Sequence, residues 1–300
     1  MTARRFDPLP GSPSLLGESP FWHPQESALY WCDIPGRRLE RWDARSGERH
    51  GWPLPSEPGC CAPVLGGGLL LAQRDGLWRF DPASGTRALL CKAPYDTQKQ
   101  RFNDGKADPL GRFWASTIHE PRDVPAAQLY RFARRELVAM AGGATTGNGL
   151  AFSPNARTLY WADTPAHVIV AFDFDLVHGE ISGRRVFARF APRDPQQPIE
   201  AYGGRPDGAA VDVEGCLWVA MYEGQRLVRL SPAGELLEEL PLPVRCPTMP
   251  CFGGDDLRTL YVTTACHGRP AAERALQPEA GCVLQTRVAV HGLPVNFAQL

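Results

Sequence analysis

Residues 148–174 read NGLAFSPNARTLYWADTPAHVIVAFDF. Ser153-Pro154-Asn155 is a turn signal, because proline presets one dihedral and asparagine bonds its own backbone. An aromatic-rich strand phrase follows at Leu159-Tyr160-Trp161, then a second strand at Val168-Ile169-Val170-Ala171-Phe172. Short apolar or alternating runs closed by such turns are the signature of strands and hairpins. The phrase recurs at Leu29-Tyr30-Trp31, Leu69-Leu70-Leu71, Phe113-Trp114-Ala115, Leu217-Trp218-Val219 and Leu260-Tyr261-Val262. Its copies begin 40, 44, 46, 58 and 43 residues apart in chain order. Second strands follow at Arg38–Trp42, Gly76–Phe80, Gln128–Phe132 and Arg226–Leu230, and a turn and third strand follow most of these.

Three or four strands per period of about 45 residues is a propeller pattern, and six phrases give six blades. A generic β-sandwich has no fixed period of this kind. The expected architecture is therefore all-β, a six-bladed β-propeller spanning residues 1–300 as a single domain. The last blade is expected to close with strands around Cys282–Leu284 and Val288–Val290, near the N-terminal strand. Closure removes the exposed edges that promote aggregation. Two stretches break the period: the Pro- and Gly-rich connection 189–206, and residues 268–280, which hold a short helix. Long connections of the first kind commonly form binding loops.

Composition agrees. Gly (30) and Pro (29) are abundant, as many turns require, while 43% hydrophobic and 22% charged residues are ordinary for a globular chain. The formal net charge of −1 supplies no basic field for nucleic acid or an anionic membrane. No apolar run approaches the roughly 18 residues of a membrane helix. The N-terminal residues lack a secretory pattern, and nine scattered cysteines without a C-x-x-C read as reduced thiols, so a cytoplasmic location is expected. The histidines form no metal-binding pattern, no G-x-S-x-G elbow is present, and Gly66-Gly67-Gly68 reads as a turn.

Counting back ten or eleven residues from each phrase reaches the entrance of the strand that would line the axis. That register holds Glu18, Asn103, Asn148 and Asp207 in blades one, three, four and five, each beside Gly or within two residues of Gly or Pro. Blades two and six present Pro58-Gly59 and Met249-Pro250. Asn and Asp beside Gly are common turn residues, but a Glu among four at one register is not explained by turn chemistry. Equivalent positions in a ring of blades point to a common centre. Two carboxylates meeting there repel each other unless a cation lies between them. Oxygen ligands suit hard divalent ions such as Ca²⁺, Mg²⁺ or Mn²⁺, and three or four protein ligands leave positions open for water and substrate.

Gly17-Glu18-Ser19-Pro20, Arg101-Phe102-Asn103-Asp104-Gly105-Lys106, Asn148-Gly149-Leu150, Pro206-Asp207-Gly208 and Leu217-Trp218-Val219-Ala220 resemble, in order and over nearly the whole chain, the motif series of the regucalcin and gluconolactonase family. The resemblance implies metal-dependent hydrolysis of a sugar lactone in the cytosol. It implies that Glu18, Asn148 and Asp207 ligate one divalent ion (Ca²⁺, Mn²⁺, Mg²⁺ or Zn²⁺), that Arg101 and Asn103 contact substrate, and that Asp207 acts as base. A carboxylate bound to a dication is a poor base, so the two roles of Asp207 compete, and the sequence leaves both open. Some members carry a further substrate-binding acid after the third blade's phrase. Here Thr117-Ile118-His119-Glu120-Pro121 puts proline at that place, with Glu120 one residue earlier as the candidate substitute. The expected partner is a small-molecule sugar lactone, with no nucleic acid, membrane or obligate protein partner. The alternatives are a metal-dependent esterase or organophosphate hydrolase on the same propeller, and a non-enzymatic calcium-binding propeller.

Overall fold

A computed structural model describes residues 5–300, and its strands form six four-stranded antiparallel sheets. In five of them the strands follow chain order from the axis outwards, beginning with Gly17–His23, Pro58–Pro63, Gln100–Ala107, Gly147–Phe152 and Arg205–Val211. The sixth runs Pro247–Gly253, Thr259–Thr264, Leu284–Arg287 and then Asp7–Pro8. Each repeated phrase lies at or near the start of the second strand of its sheet. The third strands are those expected, and Ala271–Leu276 is the short helix.

Blade six departs from expectation in one respect. Its third strand is Leu284–Arg287, and Val288–Val290 is not a strand. The outer place is taken by the N-terminal segment, with Asp7 opposite Gln285 and Pro8 opposite Leu284. The chain beyond Arg287 is drawn elsewhere by other partners. Val213 N–H bonds the His291 carbonyl, Leu293 N–H that of Val211, and Ala298 N–H that of Pro63. This tail crosses the far end of the axis from blade five to blade two. With the inner strands it borders an open, largely apolar cavity of about 300 Å³, lined by Phe21, Trp22, Phe152, Cys251 and Phe252 and bounded by Leu293–Asn296.

Burial falls from the hub outwards. Gly17–His23, Gly147–Phe152 and Pro247–Gly253 are buried at every position, whereas the outermost strand Thr86–Lys92 has none buried. Trp31, Trp114, Trp161 and Trp218, one in each of four phrases, are almost fully enclosed. Each contributes roughly 4–6 kcal/mol of apolar burial before the cost of ordering. Two of these indoles also anchor turns. Trp114 Nε1 donates to Asp108 at 3.0 Å, and Trp218 Nε1 to Asp212 at 2.9 Å. Both carboxylates accept backbone N–H groups of the turn after the inner strand. The nine cysteines are unpaired, and no helix among the described residues is long and apolar enough to cross a membrane.

Candidate active site

All six inner strands break register with their neighbours at equivalent places: between Glu18 and Phe21, Pro58 and Cys60, Phe102 and Gly105, Asn148 and Ala151, Pro206 and Ala209, and Pro247 and Met249. A β-bulge interrupts the two-residue alternation and re-aims a side chain. Repeated round a ring, it turns one or two residues of each blade to the axis. The glycines beside these residues make the close approach possible. A Cβ on Gly59 would lie 2.2 Å from the Phe102 carbonyl oxygen. Gly149 has φ +59°, and a Cβ there would meet the Asp207 carbonyl oxygen at 3.0 Å.

Glu18, Arg101, Asn103, Asn148 and Asp207 are all buried. The Thr164 hydroxyl donates to the Pro206 carbonyl at 2.8 Å, which leaves it an acceptor for Asn148 Nδ2 at 2.8 Å. Asn148 must therefore present its Oδ1 away from Thr164, where it accepts Asn103 Nδ2 at 2.6 Å. Asn103 is oriented in turn by Arg101, whose Nη1 donates to its Oδ1 at 2.8 Å, and by the Gly147 carbonyl, which accepts its Nδ2 at 3.0 Å. One chain of hydrogen bonds thus sets the amides of blades three and four from a threonine that borders blade five.

The carboxylates are far less well satisfied. Glu18 accepts only the Ser19 N–H at 3.4 Å, and Asp207 accepts no side-chain hydrogen bond among the described residues. Asp104, brought in by the same bulge, accepts Leu150 N–H at 2.8 Å through Oδ2, while its buried Oδ1 has no partner. Burial, and then the charges of Asp207 and Asp104, hold the Glu18 carboxyl well above the usual range. Burial and the charge of Asp104 push Asp207 up to about 8. Burial also raises Asp104, against the opposing charge of Lys106. Lys106 Nζ donates to the Ala209 carbonyl at 2.9 Å. Buried carboxylates lacking donors are costly unless a cation compensates them. Two such groups together with an oriented amide oxygen form an all-oxygen donor set that fits a hard divalent ion.

Glu120 lies at the rim. Both its oxygens bond Arg74, at 2.8 and 2.9 Å, and Oε1 lies 3.5 Å from Arg101 Nε. The structure thus brings Glu18, Asn103, Asn148 and Asp207 together, with Arg101 behind Asn103 and Glu120 behind Arg101. Asp104, Lys106 and Thr164 escaped the sequence reading. A second acidic group, Asp212, Glu214 and Cys216, lies away from the hub, and its carboxylates are held by Arg229 at 2.7 and 2.6 Å.

These features define the class of the chain: a six-bladed propeller whose bulged inner strands turn carboxylates and amides to the axis. Within that class the match is specific. The model of the SMP-30/gluconolactonase/LRE-like region covers residues 16–266, and the chain belongs to that family. It is 44% identical over 281 residues to 6-deoxy-6-sulfogluconolactonase of Pseudomonas putida, covering 93% of this chain and 94% of that protein. It is 35% identical over 285 residues to regucalcin of Danio rerio, covering 93% of each. Among solved structures, the calcium-binding protein regucalcin of Agrobacterium tumefaciens superposes with TM-score 0.92 at 25% identity, covering 99% of this chain and 98% of that one.

Proposed function

We propose that this chain hydrolyses a sugar lactone to the open-chain acid, with one divalent cation held by Glu18, Asn148 and Asp207. One observation carries the reading: two buried carboxylates from blades one and five reach the hub with only the Ser19 N–H at 3.4 Å as a hydrogen-bond donor among the described residues, beside an amide oxygen held in place by Thr164. Relatives named as lactonases favour this chemistry over other uses of the same hub. A bound dication supplies Lewis-acid polarisation of the lactone carbonyl and acidifies water. Arg101 and Asn103 orient the sugar through its hydroxyl or ester oxygens, which removes rotational freedom before reaction. The Asp207 oxygen left free of the cation would accept the proton of the water that adds to the carbonyl carbon. The same proton passes to the ring oxygen as the ring C–O bond breaks, leaving a carboxylic acid and a hydroxyl. Glu120, tied to Arg74, keeps Arg101 extended towards the substrate.

The substrate named in the relative from Pseudomonas putida makes 6-deoxy-6-sulfogluconolactone a candidate beside glucono-1,5-lactone. A pH-indicator assay on chelator-treated protein, with Ca²⁺, Mn²⁺, Mg²⁺ or Zn²⁺ returned singly, tests the proposal. Turnover that depends on an added cation and is lost in Glu18→Gln supports it. Full turnover by the stripped protein, or turnover of aryl phosphotriesters in preference to lactones, contradicts it.

A further inference from the structure

The segment from Glu120 to Ala126 leaves blade three at the same end as Arg101, since Arg101 pairs with Ile118 and Gln100 with His119. It is held at several points. Glu120 bonds Arg74 through both oxygens, its N–H bonds the Lys99 carbonyl at 2.9 Å, and His119 Nε2 lies 2.7 Å from Asp123 Oδ1. Between these points Arg122 takes φ +56°, a conformation rare for a residue with a side chain, and its N–H bonds the His119 carbonyl at 3.0 Å. The Arg122 guanidinium is exposed and makes no hydrogen bond or ion pair among the described residues. Several other arginines at this end are neutralised: Arg74 by Glu57 and Glu120, Arg205 by Glu223, Arg245 by Glu200, and Arg269 by Glu223 and Glu273. Arg122 follows Glu120 by two residues, and Glu120 Oε1 lies 3.5 Å from Arg101 Nε, so the segment that carries Arg122 borders the mouth of the hub.

We infer that Arg122 binds an anionic substituent of the lactone, a tetrahedral oxyanion such as a sulfonate or phosphate carried at the end of the sugar distant from the ring carbonyl. A planar guanidinium donates two parallel hydrogen bonds to such a group, and one without a carboxylate partner has its donors free to do so. The carbonyl would then lie at the hub while the oxyanion stays at the rim. This inference rests on the lactone hydrolysis proposed above.

The test compares kcat/KM of the cation-loaded protein on glucono-1,5-lactone, 6-deoxy-6-sulfogluconolactone and 6-phosphogluconolactone, for the wild type, Arg122→Gln and Arg122→Lys. The ratio of anionic to neutral lactone is expected to fall at least tenfold in Arg122→Gln, mainly through KM, and to recover in part in Arg122→Lys. KM for the anionic lactone should rise with NaCl in the wild type and lose that dependence in Arg122→Gln. A fall confined to the sulfonate or to the phosphate still supports the inference and identifies the group. An unchanged ratio overturns it while leaving lactone hydrolysis intact. A wild type that turns over the neutral lactone but neither anionic one also overturns it alone. A wild type inactive on all three with every cation removes both proposals.

Discussion

Replacing Asp207 with Asn removes one charge from a buried cluster and should stabilise the protein when no cation is bound. The Asp207 carboxyl is pushed up from 3.8 to about 8, first by burial and then by Asp104. A carboxyl whose pKa is higher folded than unfolded contributes stability that is complete below about pH 4 and is lost as pH rises towards 8. Holding that group protonated at pH 7, when the unfolded chain would release the proton, costs about 4 kcal/mol. Asn does not titrate and escapes this cost, and it also relieves Glu18 of the Asp207 charge. Urea unfolding of chelator-treated wild type and Asp207→Asn, followed by tryptophan fluorescence from pH 4 to 8, reads the difference. The gap in unfolding free energy should be near zero at pH 4 and reach about 4 kcal/mol in favour of the variant by pH 7. Added cation should stabilise the wild type far more than the variant, because the variant offers it a neutral amide oxygen in place of a carboxylate. A gap that is flat with pH, or a variant less stable at pH 8, would refute the reasoning.

Thr164→Val deprives Asn148 Nδ2 and the Pro206 carbonyl of their shared partner, so calorimetry should show about tenfold weaker cation binding and urea unfolding a loss of about 2 kcal/mol, with Thr164→Ser close to wild type. Asp212→Ala strips Trp218 and Arg229 of a buried acceptor and should cost about 3 kcal/mol of stability while leaving cation affinity at the hub unchanged. Shortening the 189–206 connection by residues 191–197 spares Ile199 and Glu200, which hold Arg245. The shortened protein should rank lactones differently in the pH-indicator assay while binding cation as before, and an unchanged ranking would show that this connection plays no part in specificity.

The strand phrases were legible because each second strand is apolar on both faces, packed between blade neighbours, and bounded by turns. The register count reached the hub because Gly and Pro accompany the bulges that turn side chains inwards, as at Glu18, Asn148 and Asp207. Asp104 stayed hidden because simple alternation assigns it to the face opposite Asn103, and only the register break between Phe102 and Gly105 brings both to bear on the hub. Thr164 lies just past the end of its strand in an ordinary Thr-Pro turn, and its role depends on the Pro206 carbonyl of the next blade. Asp7–Pro8 is two residues long and has no pattern of its own; it is a strand only because Leu284–Arg287 offers an open edge. Val288–Val290 carries a strand-like composition, but the tail bonds to blades five and two instead.

The central claim is that Glu18, Asn148 and Asp207 hold one cation on the propeller axis. Anomalous X-ray diffraction from crystals of the manganese-loaded protein tests it most directly. A single peak within about 2.0–2.5 Å of an oxygen from each of the three residues, absent from crystals of Asp207→Ala, is the predicted result. Manganese found only on surface carboxylates, with no density among these residues, would contradict the account.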